Sequence, residues 1–120
     1  MTNSPANPRR GEVWLVNFDP TIGAEIKKKR PAVVVSSDAI GILPIKLIAP
    51  VTDWNEHFTR NIWHIKMLPD NANGLSKTSA IDTLQLRGVD VQRFIRKLGR
   101  LSSSTMEEIS AAIAAIIEHS

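Results

Sequence analysis

The sequence predicts an α+β fold: a small, curled, barrel-like antiparallel β-sheet with short helices, completed by a C-terminal amphipathic helix. Three observations lead there. Short apolar runs rich in β-branched residues alternate with clusters of Gly, Pro, Asn and Asp; the last segment switches to helical spacing; and 120 residues leave room for one such unit. A chain of this length buries a core without a metal or a disulfide. Residues 1–8 read as a flexible leader and residues 9–120 as a single domain.

Val13 to Phe18 suits the first strand, with Val13 and Leu15 on one side and Trp14, Val16 and Phe18 on the other, so both faces are expected to be covered. Asp19-Pro20-Thr21-Ile22-Gly23-Ala24 breaks it, because Pro20 lacks an amide donor and Gly23 can take backbone angles other residues avoid. Residues 32–37 form the next strand, and the unbroken Ala32-Val33-Val34-Val35 argues for a central position. Ile45 to Ala49 reads as a third strand leading into Pro50-Val51-Thr52-Asp53. Ile62 to Met67 alternates, placing Trp63, Ile65 and Met67 on one face and His64 and Lys66 on the other. Pro69 to Gly74 is turn-forming; a fifth strand covers Ser79 to Leu86 and a sixth Phe94 to Leu98, joined by a turn or short helix near Gly88. Ser104-Thr105-Met106-Glu107 reads as a capping box, and Met106, Ile109, Ile113, Ile116 and Ile117 make the apolar stripe of a helix that packs on the sheet or on a partner chain.

The chain has no Cys, which removes disulfide and thiolate chemistry and suits a reducing cytoplasm. No stretch is apolar enough for a signal peptide or a membrane span, so a soluble cytoplasmic protein is expected. The net charge of +3, from 15 Lys and Arg against 12 Asp and Glu, matters less than its distribution. Lys27-Lys28-Lys29-Arg30 stands at the mouth of the second strand, and Arg87, Arg93, Arg96, Lys97 and Arg100 form a second basic set. Sharing a face, the two sets would attract an anionic polymer; apart, they are ordinary surface.

Metal catalysis is poorly supported, because His57, His64 and His119 follow no ligand spacing and the carboxylates Asp19, Glu25, Asp38, Asp53 and Asp82 are scattered beside turns. Neither a phosphate-binding glycine loop nor a nucleophile elbow occurs, and no cofactor is expected. What remains is a site of arginine and hydroxyl groups. Arg30 precedes Pro31, whose ring confines its neighbour to extended angles, so its guanidinium is better placed than a loop lysine to hold a phosphate and stabilise charge on phosphorus. Thr52 sits where a hydroxyl can bond a phosphate oxygen or simply cap the turn beside Asp53.

Arg10-Gly11-Glu12-Val13-Trp14-Leu15-Val16-Asn17-Phe18-Asp19-Pro20, then Gly23-Ala24-Glu25 and Lys29-Arg30-Pro31-Ala32-Val33-Val34-Val35-Ser36, closely resembles the opening of the MazF/PemK toxins. Pro50-Val51-Thr52 resembles their second signature, and the similarity continues through Gly74-Leu75, Ser79, Gln85-Leu86-Arg87 and Gly99-Arg100-Leu101. The resemblance implies an SH3-like barrel forming a homodimer, a sequence-specific, metal-independent endoribonuclease acting on single-stranded RNA, mainly mRNA, and a cognate antitoxin that blocks the RNA groove. By motif match, Arg30 and Thr52 take the principal catalytic positions, and Glu25 matches an acidic residue of the loop between the first two strands.

The chemistry is compatible with that implication. In RNA the 2′-hydroxyl attacks the adjacent phosphorus, so orientation, proton transfer and charge stabilisation suffice, and a 2′,3′-cyclic phosphate (or its opened 3′-phosphate) with a 5′-hydroxyl is expected. Lys27, Lys28 and Lys29 read either as phosphate contacts or as a solvated loop. Trp54 and Phe58 offer stacking to an unpaired base or serve the core; Ser79 and Gln85 read bases from the groove, and Arg87 holds the backbone, unless these three are plain strand surface. Trp14, Trp63, His57 and His64 are read as structural or surface residues. The rivals are a non-catalytic RNA- or protein-binding module, a gyrase-directed toxin of the same fold, and a nuclease that cuts only on the ribosome.

Overall fold

In the computed structural model, residues 7–18, 29–41 and 43–119 are described. The period-two alternation of the strands decides how they stack. Seven strands, β1 (Glu12–Asn17), β2 (Lys29–Val34), β3 (Ile45–Asp53), β4 (His64–Met67), β5 (Ser79–Asp82), β6 (Arg87–Asp90) and β7 (Phe94–Arg100), are followed by the helix α1 (Ser103–Ile116). All pairings are antiparallel, and the sheet runs β4-β5-β3-β2-β1-β7, with β6 added beside β3.

As its apolar run predicts, β2 is central, between β1 and β3, and buried on both faces. Val33 and Val35 join Val13, Ala49, Val51, Ile65 and Ile81 in one core, which α1 completes with Met106, Ile109 and Ala112. Ala32 and Val34 join Val16, Ile48, Val89 and Phe94 in the other, flanked by Trp14 and Phe18. The sides read for Val13, Trp14, Val16 and Phe18 therefore hold.

The expected SH3-like barrel does not form: the sheet is not closed. Among the described residues β4 and β7 have no partner on their outer sides. The reason lies in β3, which pairs with β6 through Ile45 to Ile48 and then, on the same side, with β5 through Val51 to Asp53. The intervening turn of 3₁₀ helix, Thr83–Gln85, splits what the sequence read as one strand from Ser79 to Leu86. Helix α1 covers the first core, doing by side-chain burial what strand closure would have done.

Three further readings change. The third strand continues through Pro50 and Thr52 to Asp53, with Pro50 opposite Ala32. Gly88 lies within a strand, paired with Leu47, and the short helical turn follows at Val91–Arg93. Helix α1 is capped two residues earlier than expected, by Ser102, whose Oγ accepts from the Thr105 amide at 3.1 Å. Along its stripe Met106 and Ile109 are buried, whereas Ile117 lies past the end of the helix and is 67% exposed. The break at residues 19–24 lies outside the described residues.

Two local devices hold the sheet ends. The turn at 70–74 is organised by Asn73, fully buried, whose Nδ2 donates to the Leu68 carbonyl at 2.9 Å while its Oδ1 accepts from Leu75 at 3.0 Å. That turn lies backbone to backbone on β7: a Cβ on Gly99 would meet the Ala72 carbonyl oxygen at 2.2 Å, and one on Gly74, whose φ is +72°, the Leu98 carbonyl oxygen at 2.1 Å. At the start of β1, Glu12 accepts from the Arg9 amide and the Trp14 indole, both at 2.9 Å, and pairs with Lys97 of β7 at 3.1 Å. Burial opposes its ionisation, but these hydrogen bonds and the lysine charge outweigh it and hold its pKa below the ordinary 4.5.

Two measurements follow. Gly99→Ala should lower the melting temperature by about 8 °C or more, the effect of roughly 2 kcal/mol on a domain of this size, since backbone must move; an unchanged melting curve would refute the contact. Because the Glu12 pKa is depressed on folding, its contribution is full above the unfolded value and is lost as pH falls through the folded one. Glu12→Gln should therefore be less stable than the parent at pH 7 and lose less stability between pH 6 and pH 3; parallel pH–stability curves would contradict that linkage.

Candidate functional site

The strand registers bring Arg30 and Thr52 together. The β2–β3 ladder ends at the Ala32–Pro50 pair, each two residues along its strand from Arg30 and Thr52, both of which line one groove, and Thr52 is opposite Ala80 of β5. Alternation puts Pro50, Asp82, His64 and Lys66 on this same face. The result is a groove of about 370 Å³ lined by Arg30, Pro50, Thr52, Phe58, Trp63, His64, Asp82, Leu84 and Gln85.

One wall of the groove is a chain of rings. Asn55 accepts from the His57 amide at 2.8 Å and starts the 3₁₀ turn Glu56–Phe58. That turn lays Phe58 flat on the His64 imidazole, with centroids 3.9 Å apart and planes 14° from parallel. Trp54 meets Phe58 edge to face at 5.7 Å, donates its indole N–H to Glu56 at 2.8 Å, and carries the Lys66 ammonium 5.0 Å from its ring centre. Next to the rings the lining is polar. Asp82 caps the Thr83–Gln85 turn through the Leu84 amide at 3.1 Å and accepts from Gln85 Nε2 at 2.9 Å. His64 Nε2 stands 3.5 Å from the same carboxylate, both side chains nearly buried.

Arg30, Thr52, Phe58 and Gln85 thus line one groove, with Trp54 beside it. The other sequence candidates fall elsewhere. Ser79 is buried, donates to the Lys77 carbonyl at 2.8 Å, and lines a separate cavity of about 350 Å³ that it shares with Leu15, Pro31, Thr52 and Arg96. Arg87 stacks its guanidinium over Phe18 at 5.2 Å. Lys29 is exposed at the start of β2, and Glu25, Lys27 and Lys28 lie outside the described residues. Of the second basic set, Arg96 lines the other cavity and Lys97 is paired with Glu12.

Sequence reasoning passed over His64, Asp82 and Trp63 as groove residues. The alternation of Ile62 to Met67 had already set His64 on the polar face; Trp63 instead precedes β4 and faces the groove, while Ile65 and Met67 go to the core as expected. For Asp82 the available signal was its spacing from Gln85, that of a cap opening a helical turn. Among the described residues, no three His, Asp or Glu side chains gather as metal ligands.

The fold is that of the MazF toxins. A MazE–MazF crystal structure from Deinococcus radiodurans superposes with a TM-score of 0.76 over 94% of this chain and 97% of that one, at 23% identity. The Mycobacterium tuberculosis toxin MazF-mt6 does so with 0.72, covering 91% and 98%, at 19% identity. In sequence, the chain is 30% identical over 111 residues to the endoribonuclease MazF9 of Mycobacterium tuberculosis, covering 88% of this chain and 92% of that protein. It is 29% identical to the Escherichia coli endoribonuclease PemK, covering 98% and 87%. Residues 9–117 match the family described as the PemK-like, MazF-like toxins of type II toxin-antitoxin systems, and the chain belongs to that family.

Proposed function

We propose that the chain is a sequence-specific, metal-independent endoribonuclease that cuts single-stranded RNA, mainly mRNA, in the groove between Arg30 and Gln85, as the toxin of a pair whose antitoxin occludes that groove. The observation that carries this reading is the cross-strand placement of Arg30 and Thr52, an arginine and a hydroxyl that no continuous motif joins, in one groove with flat rings and an exposed amide. Phosphate, sugar and unpaired bases each find a chemical partner there. The endoribonuclease names of the relatives support it.

In the proposed reaction the 2′-oxygen attacks phosphorus, the bond from phosphorus to the 5′-oxygen breaks, and a 2′,3′-cyclic phosphate (or its opened 3′-phosphate) and a 5′-hydroxyl result. The 2′-hydroxyl proton passes to Glu25 or to water, and the leaving 5′-oxygen takes up a proton. A guanidinium offers donors and no acceptor, so Arg30 acts as phosphate anchor and transition-state stabiliser rather than base. Thr52 fixes a phosphate oxygen. Phe58 and Trp54 stack on bases, and Lys27, Lys28 and Lys29 supply salt-sensitive contacts to the backbone. Homodimerisation, as the family resemblance implies, would extend the RNA path across a second copy.

Purified protein incubated with a long unstructured RNA in excess chelator should give discrete cuts with 5′-hydroxyl ends, and none in a strand carrying a 2′-deoxy sugar at the cut. Arg30→Ala should lower kcat/KM by about 100-fold or more and Thr52→Ala by about tenfold or more, both with parental melting curves. RNA left intact by concentrated parent protein, or cleavage undiminished in Arg30→Ala, would overturn the assignment.

A further inference from the structure

Gln85 is exposed and lines the groove, yet its amide is not free to turn. Asp82 Oδ2 lies 2.9 Å from Gln85 Nε2, and a carboxylate accepts hydrogen bonds without donating them, so the NH₂ end of the amide must face Asp82. The other end, Oε1, accepts no hydrogen bond among the described residues, while Gln85 shares the groove with Arg30 and Thr52. Asp82 is itself held. Its Oδ1 accepts from the Leu84 amide at 3.1 Å, and His64 Nε2 sits 3.5 Å from Oδ2. The imidazole is fixed in turn: Asn61 Nδ2 lies 3.1 Å from His64 Nδ1, on the side of the ring away from Asp82, and Phe58 stacks on the ring face. Asn61, His64 and Asp82 come from a loop, β4 and the end of β5, so three separate parts of the chain converge on one glutamine amide.

We propose that this Asn61–His64–Asp82 chain is a positioning clamp that makes Gln85 a one-way reader. It presents a carbonyl acceptor, and never the NH₂ group, to an unpaired base whose edge offers an N–H donor at that place. An unclamped glutamine swaps donor and acceptor by turning its amide and tolerates either kind of base edge; a clamped one leaves a mismatched acceptor facing an acceptor in a partly enclosed groove. Discrimination of this type comes from unsatisfied polar groups, and one such mismatch is worth about tenfold. The inference rests on the reading of the groove as an RNA site, and deepens it by naming the polarity of the contact and the residues that impose it.

The test uses a pool of single-stranded 2′-O-methyl RNA with randomised bases, which the protein can bind but not cut by 2′-hydroxyl attack. The bound sequences are read for the parent, Gln85→Ala, Asp82→Asn, His64→Phe, and the double variant Asp82→Asn with Gln85→Ala. His64→Phe keeps a ring on Phe58, and Asp82→Asn keeps shape while allowing the glutamine to turn. At one position of the recognised sequence, Gln85→Ala and Asp82→Asn should each weaken the base preference about tenfold and His64→Phe by less, and the double variant should match Gln85→Ala alone. Melting curves accompany each protein, and if Asp82→Asn unfolds, His64→Phe decides. Preference unchanged in the folded clamp variants, or losses from Asp82→Asn that add in full to those of Gln85→Ala, would overturn the clamp. A parent that binds the pool with a Gln85-dependent preference yet cuts no natural RNA would overturn the nuclease reading and leave the clamp standing. A parent that shows no base preference overturns the clamp whether or not it cuts.

Discussion

Everything near the groove depends on how β3 divides its pairing. Its first half holds β6 and its second half β5 on the same side, so two strands share an edge that one would normally occupy. The chain between them must leave the plane, and the three residues that do so, Thr83–Gln85, carry the amide that faces the groove. On its other side β3 pairs with β2, the strand that carries Arg30 into the groove Thr52 lines. A single strand thus sets the distance between the cation, the hydroxyl and the amide, while two apolar cores, one on each face of the sheet, keep it from shifting register.

Period-two alternation was legible in the sequence, and it predicted more than secondary structure. The run Ala32 to Val35 announced a strand covered on both faces, and β2 is one; the alternation of residues 62–67 separated His64 and Lys66 from Ile65 and Met67, as the cores require. The motif match also named two residues that prove to share a groove, Arg30 and Thr52. Alternation could not reveal which strands pair. Closure of the sheet is a long-range property, and nothing local to Ser79 or Leu86 reveals that β3 would accept two partners.

The misplaced residues have comparable causes. Ser79 and Gln85 looked equivalent as polar strand residues, but Ser79 alternates to the opposite face at β5, while Gln85 sits on the helical turn after it. Gly88 suggested a turn because glycine often marks one, yet it lies in a strand where a side chain would approach Ile45 at 3.1 Å. Ser104 and Ser102 both stand three residues before a residue able to complete a cap. Ser102 takes the role: it is extended, two residues past the end of β7 at Arg100, and its side chain accepts from the Thr105 amide. His64 and Asp82, eighteen positions apart in sequence, become neighbours only through the β4–β5 register.

The pairing of β1 with β7 joins Glu12 to Arg100, almost the whole length of the domain. Contacts so distant along the chain slow folding, since the intervening segment must be ordered before they form. During synthesis β1 emerges early and stays bare on its outer side until the last strand appears, and α1, which covers one core, follows later still. A chain that stops before Arg100 therefore leaves a partial sheet whose first strand lacks its β7 partner and whose first core lacks its helix, the kind of exposed edge and apolar surface that makes a partly folded species prone to aggregate.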